Sequence, residues 1–144
     1  MIKIDYPLYE FRMKKEEERE FIFDEIRKTW LRLTPEEWVR QNFVQYLLQV
    51  KKYPSSLLAL EKRIQVGEMS KRFDILIYDA GHHPWMMIEC KSMEVVLRED
   101  ALRQALRYNM AIPVPYLVIT NGIYCMAFHK NDNGLESIAE LPEF

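Results

Sequence analysis

The chain has 144 residues, of which 49% are hydrophobic and 29% charged. This is about one domain of ordinary globular composition, which argues against a disordered chain, a collagen-like chain and a disulfide scaffold. Twenty basic and 22 acidic side chains give a net charge of −2. That balance argues weakly against a protein that coats nucleic acid by bulk charge, although it leaves room for a local basic groove.

The sequence also favours a cytoplasmic protein. No stretch approaches the roughly 20 apolar residues that a membrane span needs. Residues 1–15 mix charged and aromatic side chains and lack the apolar segment of a signal peptide. Cys90 and Cys125 lie in apolar, strand-like segments, which predicts free, buried thiols. We therefore expect one domain over residues 1–144.

An N-terminal strand hairpin is predicted within about residues 7–23. The aromatic-rich segments Leu8–Met13 and Glu20–Phe23 would be its strands, and the charged segment Lys14–Arg19 its solvated turn. This hairpin precedes the first predicted helix.

The clearest helix start in the sequence lies at Thr34. Thr34 is a suitable N-cap, Pro35 suits the first helical position, and Glu37 is placed to complete a capping box. The predicted helix runs from Pro35 to about Val50 and ends before a Tyr-Pro-Ser-Ser segment.

Three strands are predicted next, at Leu57–Val66, Arg72–Asp79 and Trp85–Ser92, the last of them largely apolar and therefore central. In the second strand, alternation would place Phe73, Ile75 and Ile77 on one face and Asp74, Leu76 and Tyr78 on the other. A turn around Gly81 would join the second and third strands.

A second helix is predicted at Glu99–Met110, and Pro113 and Pro115 would prevent its continuation. A hairpin follows, with strands Tyr116–Thr120 and Ile123–His129 joined by Asn121-Gly122, and the chain would end in a tail from Leu135. The predicted class is α/β (α+β), a sheet flanked by helices, which by itself does not specify a function.

Charged residues interrupt two of the apolar strands. Glu89 and Lys91 are two positions apart, so their side chains share a face, and Asp74 interrupts the preceding strand. If the two strands form a hairpin in which paired residue numbers sum to 163, Asp74 lies opposite Glu89. The centre of the connection then falls between Gly81 and His82, where a tight turn favours glycine.

Two opposed carboxylates repel each other, and each is costly in a partly buried strand. Lys91 compensates only in part, whereas a divalent cation would compensate better. Mg²⁺ commonly takes one or two carboxylates and keeps several waters, and such a site can activate water for attack on a phosphodiester. A surface network of Asp74, Lys91 and Glu89 on an exposed sheet face explains the same residues.

Two strand segments resemble the core motif of the PD-(D/E)XK nuclease superfamily, an Asp on one strand and Glu-x-Lys on the next. These segments are Arg72–Tyr78 and Ile88–Lys91, and the position before the Asp is Phe73 where the motif has proline. Two more segments, Leu33–Gln41 and Gln104–Tyr108, are similar to the N-terminal nuclease domain of type I restriction enzyme R subunits and to the Gln-x-x-x-Tyr signature of RecB-type nucleases. The resemblance implies a restriction-endonuclease-like mixed central sheet flanked by helices.

The resemblance also implies roles for individual residues. Asp74 and Glu89 would hold Mg²⁺ (Mn²⁺ is an alternative), with the backbone carbonyl of Cys90, and Lys91 would orient or deprotonate the attacking water. Glu37 or Glu36 would add an acidic group near the metal, although a capping-box role also explains Glu37.

Other residues implied by the resemblance would serve nucleic-acid binding. Gln104 and Tyr108, one helical turn apart, would brace the site or contact the DNA backbone. Apart from the resemblance, helical spacing places Arg103 and Arg107 beside them, and with Arg98 these residues are candidate phosphate contacts, for which a solvated helix face is the alternative. Arg72 would either meet a phosphate or form an ion pair at the strand edge.

Three functions remain open from the sequence. The first is a Mg²⁺-dependent nuclease domain that hydrolyses DNA phosphodiesters. The second is a catalytically inactive nuclease-fold module that binds DNA or a partner protein, and the third is a structural protein whose charged face pairs with a partner. The sequence contains no P-loop pattern, so we expect a motor function to come from restriction-modification or helicase-type subunits. A homodimer would suit a small enzyme that cuts two strands.

Overall fold

The structure, a computed structural model, describes residues 1–100, 103, 107 and 114–144. The elements are, in chain order, β1 (Ile2–Lys3), β2 (Met13–Glu16), β3 (Arg19–Asp24), β4 (Thr29–Arg32), α1 (Pro35–Gln49), β5 (Leu58–Val66), β6 (Met69–Tyr78), β7 (Pro84–Cys90), β8 (Tyr116–Thr120), β9 (Tyr124–Asn131) and β10 (Gly134–Ile138). A short 3₁₀ turn, Ser55–Leu57, precedes β5.

The described strands form two sheets. Seven of them make a large mixed sheet in the order β1-β9-β8-β7-β6-β5, with β10 also paired to β9, and β2, β3 and β4 make a separate three-stranded sheet. Strands β7 and β8 are parallel, whereas the other neighbouring strands are antiparallel. The predicted α+β class is confirmed.

Helix α1 covers one face of the large sheet. Val39, Phe43 and Leu47 of the helix pack in one buried cluster with Ile88 of β7 and Val118 of β8. The opposite face carries a second cluster, which includes Leu76, Met87, Leu97, Val114 and Leu117. Because strand side chains alternate between faces, this double coverage explains why β7 and β8 are nearly continuous apolar segments.

The start of α1 follows the sequence prediction. The Thr34 side chain accepts a hydrogen bond from the backbone N–H of Glu37 at 3.1 Å, and Pro35 occupies the first turn. The helix ends at Gln49, with Val50 as its C-cap. The Glu37 carboxylate accepts hydrogen bonds from the Arg40 and Gln41 side chains of the same helix.

The β6–β7 hairpin has the predicted register through most of its length. Ile75 pairs with Ile88 and Ile77 with Met86, both pairs summing to 163. The register shifts by one beyond Ile77, where Tyr78 pairs with Pro84. A turn closed by the N–H of Asp79 and the carbonyl of His83 therefore replaces the predicted symmetrical connection.

The N-terminal hairpin lies later in the chain than predicted. Strand β2 is Met13–Glu16 rather than Leu8–Met13, and the turn is formed by Glu17 and Glu18. Both turn residues have positive φ, 49° and 67°. This conformation suits a tight hairpin, but the sequence marks it only when the turn contains Gly, Asn or Asp.

Other boundaries also differ. Strands β1, β4 and β10 were not predicted, and β10 lies mostly where a tail from Leu135 was expected. Strand β7 ends at Cys90, so Lys91 follows it. The predicted helix Glu99–Met110 falls largely outside the described residues, although the four described residues within it have helical backbone. Cys90 and Cys125 are free and buried, as predicted.

Within residues 1–100, 103, 107 and 114–144, no helix is both long enough and apolar enough to cross a bilayer.

Candidate active site

Strand β6 changes face at Asp74. Ile75 packs in the cluster under α1, whereas Phe73 packs in the cluster on the opposite face with Leu76. The prediction that Phe73 and Ile75 share a face is therefore wrong. Strand β5 shows why: Leu60 pairs with Ile75 and Lys62 with Phe73, and between them Glu61 has a left-handed backbone with φ of 53°.

The Asp74 carboxylate links the helix to the adjacent strand. Its Oδ2 accepts a hydrogen bond from the backbone N–H of Cys90 at 2.8 Å. Its Oδ1 lies 3.5 Å from Nη1 of Arg40 on α1. About a third of the side chain, 32%, is exposed, so Asp74 is held in place and still reaches solvent.

Glu89 and Lys91 lie beside Asp74 at the end of β7. The Lys91 ammonium donates to Oε1 of Glu89 at 3.3 Å, as expected for two side chains on one face. The backbone N–H of Lys91 donates to the carbonyl of Thr120 at 2.8 Å, which continues the parallel pairing beyond the strand end. Asp74, Glu89 and Lys91 form the candidate active site.

The first turns of α1 place a buried polar group against this site. Arg40 donates to both carboxylate oxygens of Glu37, through Nε at 2.9 Å and through Nη2. Gln41 donates to the same Glu37 carboxylate at 3.0 Å. Residues three and four positions apart share a helix face, so the Glu37, Arg40 and Gln41 side chains meet.

The β3–β4 turn is fastened to this group. Asp24, which is fully buried, accepts from the backbone N–H groups of Ile26 and Arg27 at 2.8 and 3.0 Å. Its other oxygen accepts from Nε of Arg27 at 2.6 Å and from the amide of Gln41 at 3.2 Å. The small sheet is therefore bonded to α1 through one buried carboxylate.

Glu61 completes the connection to the large sheet. Its carboxylate accepts from Arg40 at 2.8 Å and lies 3.4 Å from Nη1 of Arg27. We call the connected set the polar network; its members are Asp24, Arg27, Glu37, Arg40, Gln41 and Glu61. Because Arg40 also contacts Asp74, the polar network supports the candidate active site directly.

The electrostatics of Asp74 differ from those of the polar network. Burial raises the pKa of Asp74, and the charges of Glu89 and Glu36 raise it further; the Cys90 N–H and Arg40 oppose this only in part. Burial also acts to raise the pKa of Asp24 and Glu61, but hydrogen bonds and charges from Arg27 and Arg40 respectively outweigh it and lower both values. Of these three carboxylates, Asp74 is therefore the one whose burial is only partly compensated.

The donor chemistry of the site suits a hard divalent cation. The Asp74 and Glu89 carboxylates are close enough to repel, and Mg²⁺ takes one or two carboxylates while it keeps several waters. The described residues include no group of three His, Cys, Asp or Glu side chains arranged to hold a metal. The Asp74 and Glu89 carboxylates and the Cys90 carbonyl are oxygen donors of the class that Mg²⁺ takes.

The remaining predicted site residues lie elsewhere or outside the described part. Arg72 is exposed, and its charge contributes to the lowered pKa of Glu61. Arg103 and Arg107 line one surface concavity with Asp100, and Arg103 pairs with Glu99 at 3.4 Å in an exposed ion pair. Gln104 and Tyr108 lie outside the described residues.

Sequence reasoning missed most of the polar network. It singled out Glu37, but not Asp24, Arg27, Arg40 or Glu61. The helix carried a signal, since three polar residues at positions 37, 40 and 41 fall on one helical face. Asp24, Arg27 and Glu61 gave no comparable signal, because isolated charges in charged surroundings are typical of a solvated surface.

A comparison with protein-family models places the chain. Residues 35–142 match the family model described as the type I restriction enzyme R protein N terminus. The chain belongs to this family. The match covers α1 and every strand of the large sheet except β1, and it starts after the three-stranded sheet. No curated protein matches the chain. The family supports a restriction-related nuclease domain.

Proposed function

We propose that this domain is a Mg²⁺-dependent nuclease of the PD-(D/E)XK superfamily that hydrolyses DNA phosphodiester bonds. One observation carries the proposal: Glu89, near the end of β7, is close enough to Asp74 of the adjacent strand β6 to raise its pKa, and Lys91 lies 3.3 Å from Glu89. A perturbed carboxylate beside a lysine, partly open to solvent, is typical of a catalytic site. Membership of a restriction-enzyme family supports the same reading.

Asp74, Glu89 and the carbonyl of Cys90 would hold the cation. When bound, Mg²⁺ would supply an activated water and neutralise charge on the phosphate. Asp74 is suited to this role because the Cys90 N–H and Arg40 fix both of its oxygens in position. A preorganised carboxylate loses little freedom when it takes up a ligand.

Lys91 would act on the water and the phosphate. Its ammonium has three donors, one of which contacts Glu89, so the others remain to orient a water or to meet a phosphate oxygen. Arg40 has a different role: it contacts Asp74 and is buried, so it positions the carboxylate from behind.

A second candidate function is a nuclease-fold module that binds DNA or a partner protein without cutting. The pairing of Asp74 with Arg40 favours it, because a carboxylate that already has a cationic partner needs a metal less. Cleavage distinguishes the two candidates.

The test is cleavage of single-stranded, double-stranded and branched DNA with Mg²⁺ or Mn²⁺. Wild type should cut at least one of these forms, and Lys91→Ala should reduce the rate at least 100-fold because one catalytic group typically contributes about 10²–10⁴-fold. Lys130→Ala is the matched control, since this exposed lysine lies at the far end of β9 from Thr120. Metal-independent cutting, or equal loss in both variants, would reject the proposal. Binding without cutting would favour the second candidate.

A further inference from the structure

The three-stranded sheet has one buried face and one exposed face. Ile22 and Asp24 of β3 are fully buried toward the body of the protein. Side chains alternate along a strand, so Phe21 and Phe23 belong to the opposite face. The small sheet is therefore amphipathic, and its second face is available to solvent.

Three aromatic and three basic residues share this exposed face. Register places Lys14 and Arg32 on either side of Phe21, and Trp30 beside Phe23. The N–H of Phe23 donates to the carbonyl of Arg12 at 2.9 Å, which places Arg12 on the other side of Phe23. We call this set the aromatic–basic face; its members are Arg12, Lys14, Phe21, Phe23, Trp30 and Arg32.

The rings and the cations are interleaved. The Arg12 guanidinium lies over the Phe23 ring at 4.3 Å from its centroid, and the Lys14 ammonium lies 4.5 Å from that of Trp30. Phe23 and Trp30 contact each other edge to face at 5.3 Å. All three rings are only partly buried. Acids also lie nearby: Glu16 pairs with Lys14 at 3.2 Å, Glu10 lines an adjoining concavity, and Glu17 and Glu18 form the β2–β3 turn.

That concavity is large enough for part of a nucleotide chain. It has a volume of about 650 Å³ and is lined by Glu10, Phe11, Arg12, Met13, Lys14 and Trp30. The six members of the aromatic–basic face include three cations and no acid. The face therefore presents positive charge and aromatic rings side by side.

We propose that the aromatic–basic face binds single-stranded DNA, a proposal that rests on the proposed function for its choice of DNA. Unpaired bases stack on aromatic rings and on guanidinium planes, and lysine and arginine meet the phosphates between them. The bases of a duplex already stack on each other, so a duplex would use only the cations. Interleaved rings and cations thus favour a single strand.

The position of the face suits a substrate-holding role. The turn that joins β3 and β4 is bonded through Asp24 and Arg27 to Gln41 and Glu61. Arg40, which contacts Glu61, contacts Asp74 of the candidate active site. The face also lies before residues 35–142, the part that matches the family model.

The test measures binding without cleavage, by fluorescence anisotropy in EDTA with Lys91→Ala as the parent protein. The ligands are a labelled oligonucleotide of mixed sequence and its duplex. The parent should bind the single strand more tightly. Phe23→Leu/Trp30→Leu should weaken this binding by about 30-fold or more, because each of the two base–ring stacks contributes about 1–3 kcal/mol. Leucine is used rather than alanine because it keeps both positions apolar and so favours folding of the variant.

A charge variant tests the phosphate contacts. Arg12→Gln/Lys14→Gln/Arg32→Gln should lower the slope of log affinity against log salt by about 2, since each phosphate contact on a single strand contributes about 0.7. Lys15→Gln is the matched control, because this exposed residue lies on the same strand with the opposite parity. Circular dichroism and melting temperature verify folding.

The outcomes separate this proposal from the nuclease assignment. Affinity unchanged in both multiple variants, equal loss in Lys15→Gln, or equal or tighter duplex binding overturns the aromatic–basic face as a single-strand site. Cleavage by wild type together with unchanged affinity in the variants leaves the nuclease proposal intact. If the variants lose affinity and the wild-type protein does not cleave DNA, the aromatic–basic face is supported and the nuclease proposal is rejected.

Discussion

Asp74 and Asp24 are carboxylates of one polar region whose pKa values shift in opposite directions. Burial and the nearby Glu89 and Glu36 raise the pKa of Asp74, whereas the bonds from Arg27 and Gln41 lower that of Asp24 against the effect of burial. When folding raises the pKa of an acid, ionisation of that acid destabilises the folded protein. When folding lowers the pKa, ionisation stabilises the folded protein.

Replacing each aspartate by asparagine should therefore change stability with opposite signs. At pH 7, Asp74→Asn should raise the free energy of unfolding, because it removes a charge whose burial is only partly compensated. Asp24→Asn should lower it by about 2 kcal/mol, the contribution of hydrogen bonds to a charged group. Urea unfolding at several pH values measures both.

The pH dependence supplies the check on this pair. The advantage of Asp74→Asn should shrink as pH falls through the raised pKa of Asp74 and vanish below the ordinary aspartate value of 3.8. The Asp24 contribution is complete above that ordinary value and should be lost as pH falls through the lowered pKa. Destabilisation by both variants at pH 7 would contradict the assignment of Asp74 as a strained, function-bearing carboxylate.

The face change in the β5–β6 hairpin coincides with Glu61. This residue has φ of 53°, a region that costs a non-glycine residue about 1–2 kcal/mol. Its carboxylate bonds to Arg40 and Arg27 offset that cost. At this position the side chains of β5 and β6 change from one face of the sheet to the other, beside Asp74. The strained backbone of Glu61 therefore lies next to the candidate active site.

Glycine and alanine at this position separate the backbone cost from the lost charge. Both Glu61→Gly and Glu61→Ala remove the ion pairs. Because glycine tolerates positive φ, the free energy of unfolding of Glu61→Gly should exceed that of Glu61→Ala by about 1 kcal/mol. Lys62, the next residue, does not have positive φ. At Lys62 the alanine variant should therefore be more stable than the glycine variant. The same order at both positions, measured in urea, would refute the strained conformation.

The sequence predicted elements where a local signal exists. Thr34 and Pro35 marked the start of α1, Asn121-Gly122 marked the β8–β9 turn, and Gly81 gave most of the β6–β7 register. Strands β1, β4 and β10 have two, four and five residues, too few for a period to be visible. The position of β2 was missed because Glu17 and Glu18 form a turn without a turn residue.

The candidate site was predictable in part for the same reason. Asp74, Glu89 and Lys91 were conspicuous as charges in apolar strands, and alternation together with register brought them together. The polar network joins residues from 24 to 61 through tertiary contacts. Pairings of that kind depend on how α1, the small sheet and β5 pack, and no local pattern in the sequence records them.

The candidate active site lies where α1, the large sheet and the fastened small sheet meet. Arg40 contacts Glu37, Glu61 and Asp74, so one side chain from the helix bonds to both strands of the β5–β6 hairpin. Ligand binding at Asp74 should therefore be felt in global unfolding, because a ligand that binds only the folded state stabilises the entire domain.

Mg²⁺ should accordingly raise the melting temperature of the metal-free protein. At ten times its dissociation constant the cation adds about 1.4 kcal/mol, or about 4 °C for a domain of this size. Asp74→Asn should lose this rise, whereas Asp132→Asn, an exposed change in the β9–β10 turn, should keep it. Differential scanning fluorimetry over a Mg²⁺ titration measures all three proteins. An equal rise in Asp74→Asn would place the cation elsewhere, and a flat titration of wild type would remove Mg²⁺ from the site, because repulsion between Asp74 and Glu89 is what the cation is expected to relieve.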